Sequence, residues 1–113
     1  MKDKNKILKK TDDCLVIVPV YNGAKTINNV ISNLKKYFDN ILIINDGSED
    51  NTLELIANNN LKIINHLVNI GQGGAIESGM LFFINSTNLK YLITFDADGQ
   101  HIAKEAFEMS KAL

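Results

Sequence analysis

The chain has a single cysteine, no surplus of charge of either sign and no long apolar run, and each of these absences removes a class of protein. One cysteine cannot pair within the chain, so no disulfide framework holds this fold together. Cys14 opens an apolar stretch and reads as a buried small hydrophobe with no catalytic role. Lys and Arg number 12 against 13 Asp and Glu, and a net charge of −1 gives no electrostatic case for nucleic acid or an anionic membrane. No uninterrupted apolar run approaches the roughly 18 residues of a membrane span. The first ten residues lack the apolar segment of a signal peptide. Internal repeats, low-complexity segments and linkers are missing as well. The expectation is a reducing, cytoplasmic setting.

What is present suits one modest core: 45% apolar and 22% charged residues in a chain of 113. The lysine-rich start, MKDKNKILKK, is the one concentration of charge. Residues 1–13 read as a basic, flexible terminus, with a membrane-surface or partner contact as the alternative, and residues 14–113 as the domain.

Short apolar strands alternate with helices along that domain. CLVIVPV at 14–20 is nearly continuous aliphatic sequence, as a strand buried on both faces should be. After YNGAK, apolar residues fall at Ile27, Val30, Ile31, Leu34 and Phe38, the stripe of a helix packed on a sheet. ILII at 41–44 is the second strand, and Ser48 or Asp50 can cap the helix that carries Leu53, Leu55 and Ile56. LKIIN at 61–65 is the third strand; the bend NIGQGG leads from it into a helix through Ala75, Ile76, Met80 and Phe83. YLITF at 91–95 is the fourth strand, and Ile102, Ala106, Phe107 and Met109 give the tail helical spacing. This alternation predicts an α/β fold with right-handed crossovers and a Rossmann-like, mostly parallel sheet in the order 3-2-1-4. Ligands bind such sheets beyond the carboxyl ends of the strands, where the winding direction reverses.

Three loops then converge: Pro19-Val20-Tyr21-Asn22, Asn45-Asp46-Gly47-Ser48, and DADGQH at 96–101. Asp46 alone reads equally well as a turn residue. Asp96 and Asp98 are harder to dismiss, because residues two apart in extended chain project to one side while Ala97 points away. Carboxylates held together call for positive charge, and magnesium commonly takes one or two protein carboxylates plus substrate phosphates. The plain alternative is a solvated turn with Asp98 and Gly99 at its tip. An EF-hand starting at Asp96 fails, since His101 and Phe107 stand where glycine and glutamate are required. A phosphatase of the haloacid dehalogenase type carries its Asp-x-Asp-Gly on the first strand, not at the end of the chain. The glycines of the bend, Gly73 among them, let backbone approach a ligand at a helix N-terminus, although the bend is not the G-x-G-x-x-G fingerprint. His101 can turn back toward the carboxylates, and His66, after the third strand, reads as structural or exposed.

In their order and spacing, VIVPVYNGAKTI, IINDGSEDNT, NIGQGGAIESG and FDADGQH resemble the donor-binding half of family-two glycosyltransferases with the GT-A fold. Dolichol-phosphate-sugar-synthase-like and polysaccharide-building members are the most similar, and the resemblance covers residues 15–101. It implies a UDP- or GDP-linked sugar donor, a Mg²⁺ or Mn²⁺ ion, and a lipid-phosphate or glycan acceptor at the inner face of a membrane. Pro19 and Tyr21, beside Asn22, would line the base pocket and Asp46 would accept a hydrogen bond from the base. Asp96 would face the ribose or the metal's water shell, Asp98 would coordinate the metal, and His101 is a third candidate ligand. Asn45 stands where the family often has a first aspartate, and Gln72 where many members have Lys or Arg. No general base for inverting transfer is identified; the resemblance places it beyond Leu113, in an acceptor half. The chain accordingly reads as a nucleotide-sugar-binding portion with weak donor binding and little or no transfer alone, prone to self-association through the sheet edge that truncation exposes. The competing class is a noncatalytic nucleotide-sugar or metal-binding module acting with a partner chain. A nucleotidyltransferase would want a richer glycine and basic loop than YNGAKT.

Overall fold

The computed structural model describes residues 12–98, and within it CLVIVPV forms β1 (Cys14–Val20), almost entirely buried. The chain continues through α1 (Ile27–Lys35), β2 (Ile41–Asp46), α2 (Thr52–Ala57), β3 (Lys62–His66), α3 (Gln72–Ser86) and β4 (Tyr91–Thr94). All strand pairs are parallel and their order is β3-β2-β1-β4, as the alternation predicts. The lysine-rich start, the helix expected in the tail, and His101 lie outside the described residues.

The period of two along each strand sorts the core into two layers. Val16, Val18 and Val20 of β1, with Ile41 and Ile43 of β2, meet Ile27, Val30, Ile31 and Leu34 of α1 and Ile56 of α2. Leu15, Ile17, Leu42 and Ile44 point to the other side, against Ala75, Ile76, Phe82 and Phe83 on α3. The register, Val16 opposite Ile41 and Val18 opposite Ile43, keeps like-facing residues together. Two successive crossovers in one direction put α1 and α2 on one face, and the return from β3 to β4 puts α3 on the other, as right-handed connections require.

Two boundaries differ from expectation in a way that matters for the site. β2 does not stop at Ile44; Asn45 and Asp46 are its last, buried residues, paired with Asn65 and His66 of β3. Asn45 gives its amide to Asn65 Oδ1 at 2.7 Å, while its own Oδ1 is buried with no hydrogen-bond partner. A neutral amide avoids placing a second carboxylate beside Asp46 in this dry position. β4 in turn is short, and its ladder with β1 ends at Ile17 opposite Thr94. Pro19, which has no N–H to give, comes after that ladder has ended, so β1 and β4 part where a cleft begins.

Gly79 sets how closely α3 approaches the sheet. A Cβ there would lie 2.8 Å from Ile17 Cδ1 and 3.2 Å from Ile44 Cδ1. Gly79→Ala therefore gains about 1 kcal/mol of helix propensity but overpacks the core by typically 1–3 kcal/mol. The expected net loss is about 1 kcal/mol in chemical denaturation; a more stable variant would show that the helix tolerates a wider spacing.

Candidate functional site

At the carboxyl ends of β1, β2 and β4 lies a cleft of about 870 Å³ whose lining includes Pro19, Tyr21, Asn22, Asp46, Asp96 and Asp98. It is built by three loops that tie one another in place. Asn22, in the left-handed region at φ 52, accepts at its side-chain oxygen from Glu49 N–H (2.8 Å) and Asp50 N–H (3.3 Å). Its own N–H donates to Ser48 Oγ at 2.9 Å. Gly23 N–H donates to the buried Thr52 hydroxyl at 2.9 Å, and Ala24 N–H to Asp50 Oδ2 at 3.2 Å. Asp50 also accepts from Thr52 N–H and hydroxyl; the Thr52 hydroxyl is the first reason its carboxyl lies below the usual range. Asp50 thus organises the start of α2, one of the two capping candidates, although the formal cap position is Asn51.

The acidic stretch after β4 is fixed from the opposite direction. Phe95 and Ala97 are buried in the α1-side core, and the Thr26 hydroxyl donates to the Ala97 carbonyl. Asp96 and Asp98, in the turn that follows β4, line the cleft, Asp96 partly covered and Asp98 exposed. Gln72 reaches across with its amide 3.4 Å from Asp96 Oδ1, a long contact. The glycine bend therefore meets the site through Gln72, which lines the cleft. Gly73, an expected ligand contact, is exposed and outside that lining. Sequence reasoning missed Lys25, which lies in the lining beside Thr26; its only signal was the single lysine of YNGAKT.

Asp46 is the most heavily engaged side chain of the site. It is 3% exposed, and its Oδ1 accepts from His66 Nδ1 (2.9 Å) and Ile70 N–H (3.0 Å). Its Oδ2 accepts from Gly71 N–H (2.9 Å) and the Asn69 amide (3.0 Å). Burial pushes this carboxyl up, but the bonds from His66, Ile70 and Gly71 outweigh it and hold the group below the ordinary carboxylate value. The His66 Nδ1–H that serves Asp46 leaves Nε2 to accept from Ser78 Oγ at 2.8 Å. His66 is structural, as expected, joining β2 to α3. The four acceptor positions of Asp46 are thus committed to His66 of β3 and to the loop between β3 and α3, in competition with the base contact expected of it.

Among the described residues no group of three or more His, Cys, Asp or Glu stands ready for a metal ion. The donor set is two carboxylates, which fits a cation completed by phosphate and water rather than an all-protein cage. Cys14 is buried, and burial with nearby Asp13 pushes its thiol up to about 11, so it stays an inert hydrophobe.

A Rossmann-like α/β half-domain with a polar cleft at the switch point is the class that these features define. Residues 15–109 match glycosyl transferase family 2, and the chain belongs to that family. It is 36% identical over 114 residues to an uncharacterized protein of Methanocaldococcus jannaschii, a match covering 98% of this chain and 46% of that protein. It is 39% identical over 104 residues to the UDP-N-acetylglucosamine–dolichyl-phosphate N-acetylglucosaminyltransferase of Methanococcus voltae, covering 76% of this chain and 41% of the relative. Poly-beta-1,6-N-acetyl-D-glucosamine synthase of Staphylococcus aureus is 36% identical over 89 residues, covering 73% of this chain and 21% of that enzyme. The chain thus spans less than half the length of these relatives.

Proposed function

We propose that this chain is the donor-binding part of a glycosyltransferase that moves a sugar from a nucleoside diphosphate to a lipid phosphate. The observation that carries the reading is the meeting of Tyr21, Lys25, Asp96 and Asp98 in one cleft at the carboxyl ends of the strands, in a family-two chain. Tyr21 is 47% exposed, which leaves its ring available to stack on a base. Lys25 offers a fixed positive charge to the diphosphate, a role that Gln72, a neutral amide, cannot fill. Asp96 and Asp98 are the residues that would hold Mg²⁺ or Mn²⁺. A cation bound there supplies charge that offsets what grows on the departing diphosphate. Asp46 fixes the wall of the cleft through the 67–71 loop. The base that deprotonates the acceptor, and the acceptor's own contacts, are assigned to residues outside this chain. The names of the Methanococcus voltae relative and of a dolichyl-phosphate beta-glucosyltransferase of Trichomonas vaginalis favour a lipid phosphate over a glycan.

Calorimetric titration of UDP and GDP into the chain, with and without Mn²⁺, tests this. Metal should tighten binding of one nucleotide by at least about tenfold, or about 1.4 kcal/mol. Equal binding with and without metal, or none with either nucleotide, would remove the reading.

A further inference from the structure

The segment LVNI at residues 67–70 is built inside out. The Asn69 amide and the Ile70 N–H point inward, and with Gly71 N–H they are all committed to Asp46. The aliphatic side chains are left outside: Leu67 is 94% exposed, Val68 67%, and Ile70, which lies over Gly74, 54%. A free loop would fold such side chains back, but this backbone is pinned. Besides the Asp46 bonds, it runs so close to Gly47 (φ 71) that a Cβ there would lie 2.4 Å from Asn69 N and 2.5 Å from the Val68 carbonyl carbon. The fold itself enforces the exposure, and clustered exposed aliphatic groups mark an interaction surface.

Position selects the occupant. The loop follows β3 at the end of the sheet that holds the cleft, and Asn69 belongs to both. The described chain leaves from β4, at the opposite edge, three strand spacings or roughly 14 Å from β3. It enters at the amino end of β1, so neither flanking segment emerges beside the loop. If the acceptor is a lipid phosphate, as the proposed function holds and on which this inference rests, its phosphate lies in the headgroup layer. The cleft must then be brought to that plane.

We propose that Leu67, Val68 and Ile70 dip into the interfacial layer of a lipid bilayer and hold the cleft mouth at the level of the acceptor phosphate. The tip carries no charge, so insertion desolvates none. Three aliphatic side chains give reversible adhesion that orients the domain, weaker than an anchor.

Buried Cys14, with its raised thiol pKa, leaves an introduced surface cysteine as the group that reacts. The full chain bearing Leu67→Cys is labelled with an environment-sensitive nitrobenzoxadiazole dye, alongside a Leu53→Cys control on α2. Both are titrated with vesicles of phosphatidylcholine and phosphatidylglycerol. Emission from position 67 should shift to the blue and roughly double, while the control stays unchanged. Val68→Asp with Ile70→Asp in the labelled background should weaken vesicle binding by about tenfold or more. No change at position 67 overturns the proposal. So does a change that follows protein concentration without lipid, which assigns the loop to a second copy of the chain. UDP and GDP titration of the same protein keeps the two readings apart. Nucleotide binding without a vesicle response removes the lipid surface alone. A vesicle response without nucleotide binding supports the surface and removes the sugar-transfer reading.

Discussion

Asp46→Ala is expected to destabilise the fold by about 3 kcal/mol, a drop of roughly 10–20 °C in midpoint for a domain this size. The substitution strands four donors at once: the His66 ring, the Asn69 amide and the N–H groups of Ile70 and Gly71. Those of Asn69 and Ile70 are near enough to solvent for water to replace part of the loss, which keeps the figure from being larger. Asp46→Asn retains the shape but turns an amide donor toward donors already in place, so it should recover less than half of the lost stability. The acid limb follows from the same bonds. A carboxyl held below its ordinary value contributes stability that is fully present above about pH 4 and is lost as pH falls through the folded-state value. With the intrinsic pH dependence divided out, the protection of the Ile70 and Gly71 amides from exchange should therefore be high at neutral pH and fall in acid, and in Asp46→Ala it should be low throughout. An Asp46→Ala protein with parental stability and slow exchange at both amides would show that the loop is held by something else.

How legible this was depends on the kind of interaction. The sheet order followed from alternation and crossover handedness, because β1 and β2 are apolar on both faces and could sit only inside. That Asp96 and Asp98 lie together in the cleft was legible from their spacing after an apolar strand, although the chain there is a turn and Phe95 and Ala97, which enter the core, hold it in place. Asp46 was read as a turn residue beyond a strand that in fact includes it, and its partners were not visible. Two of them are backbone N–H groups more than twenty residues away, and a backbone donor has no letter in a sequence. The same blindness hid the inverted loop. Nothing in the letters of LVNI shows that Asn69 and Gly71 spend their polar groups on Asp46, leaving the aliphatic side chains outside. Lys25 went unweighed because a lone lysine after a strand has no distinguishing spacing; only the turn at Gly23, held by Thr52, brings it to the cleft.

Asp98→Ala should reverse sign with the metal, and that reversal is a sharper test than loss of binding. Without a divalent ion, an exposed carboxylate facing a diphosphate is repulsive, so its removal should leave nucleotide affinity unchanged or raise it a few fold. With Mn²⁺ present the same change would remove one of the two proposed protein ligands, and affinity should fall by at least about thirtyfold, or about 2 kcal/mol. The thermal midpoint should hardly move, since contacts of an exposed carboxylate contribute at most about 1 kcal/mol. Asp98→Asn should behave like Asp98→Ala in metal, whereas Asp98→Glu should keep part of the metal response. Asp96→Ala should also lose the metal response, with some stability lost because Asp96 is partly covered and meets Gln72. If Asp98→Ala weakened binding equally with chelator and with Mn²⁺, the carboxylate would be contacting the nucleotide itself, and the acidic pair would not be a cation site.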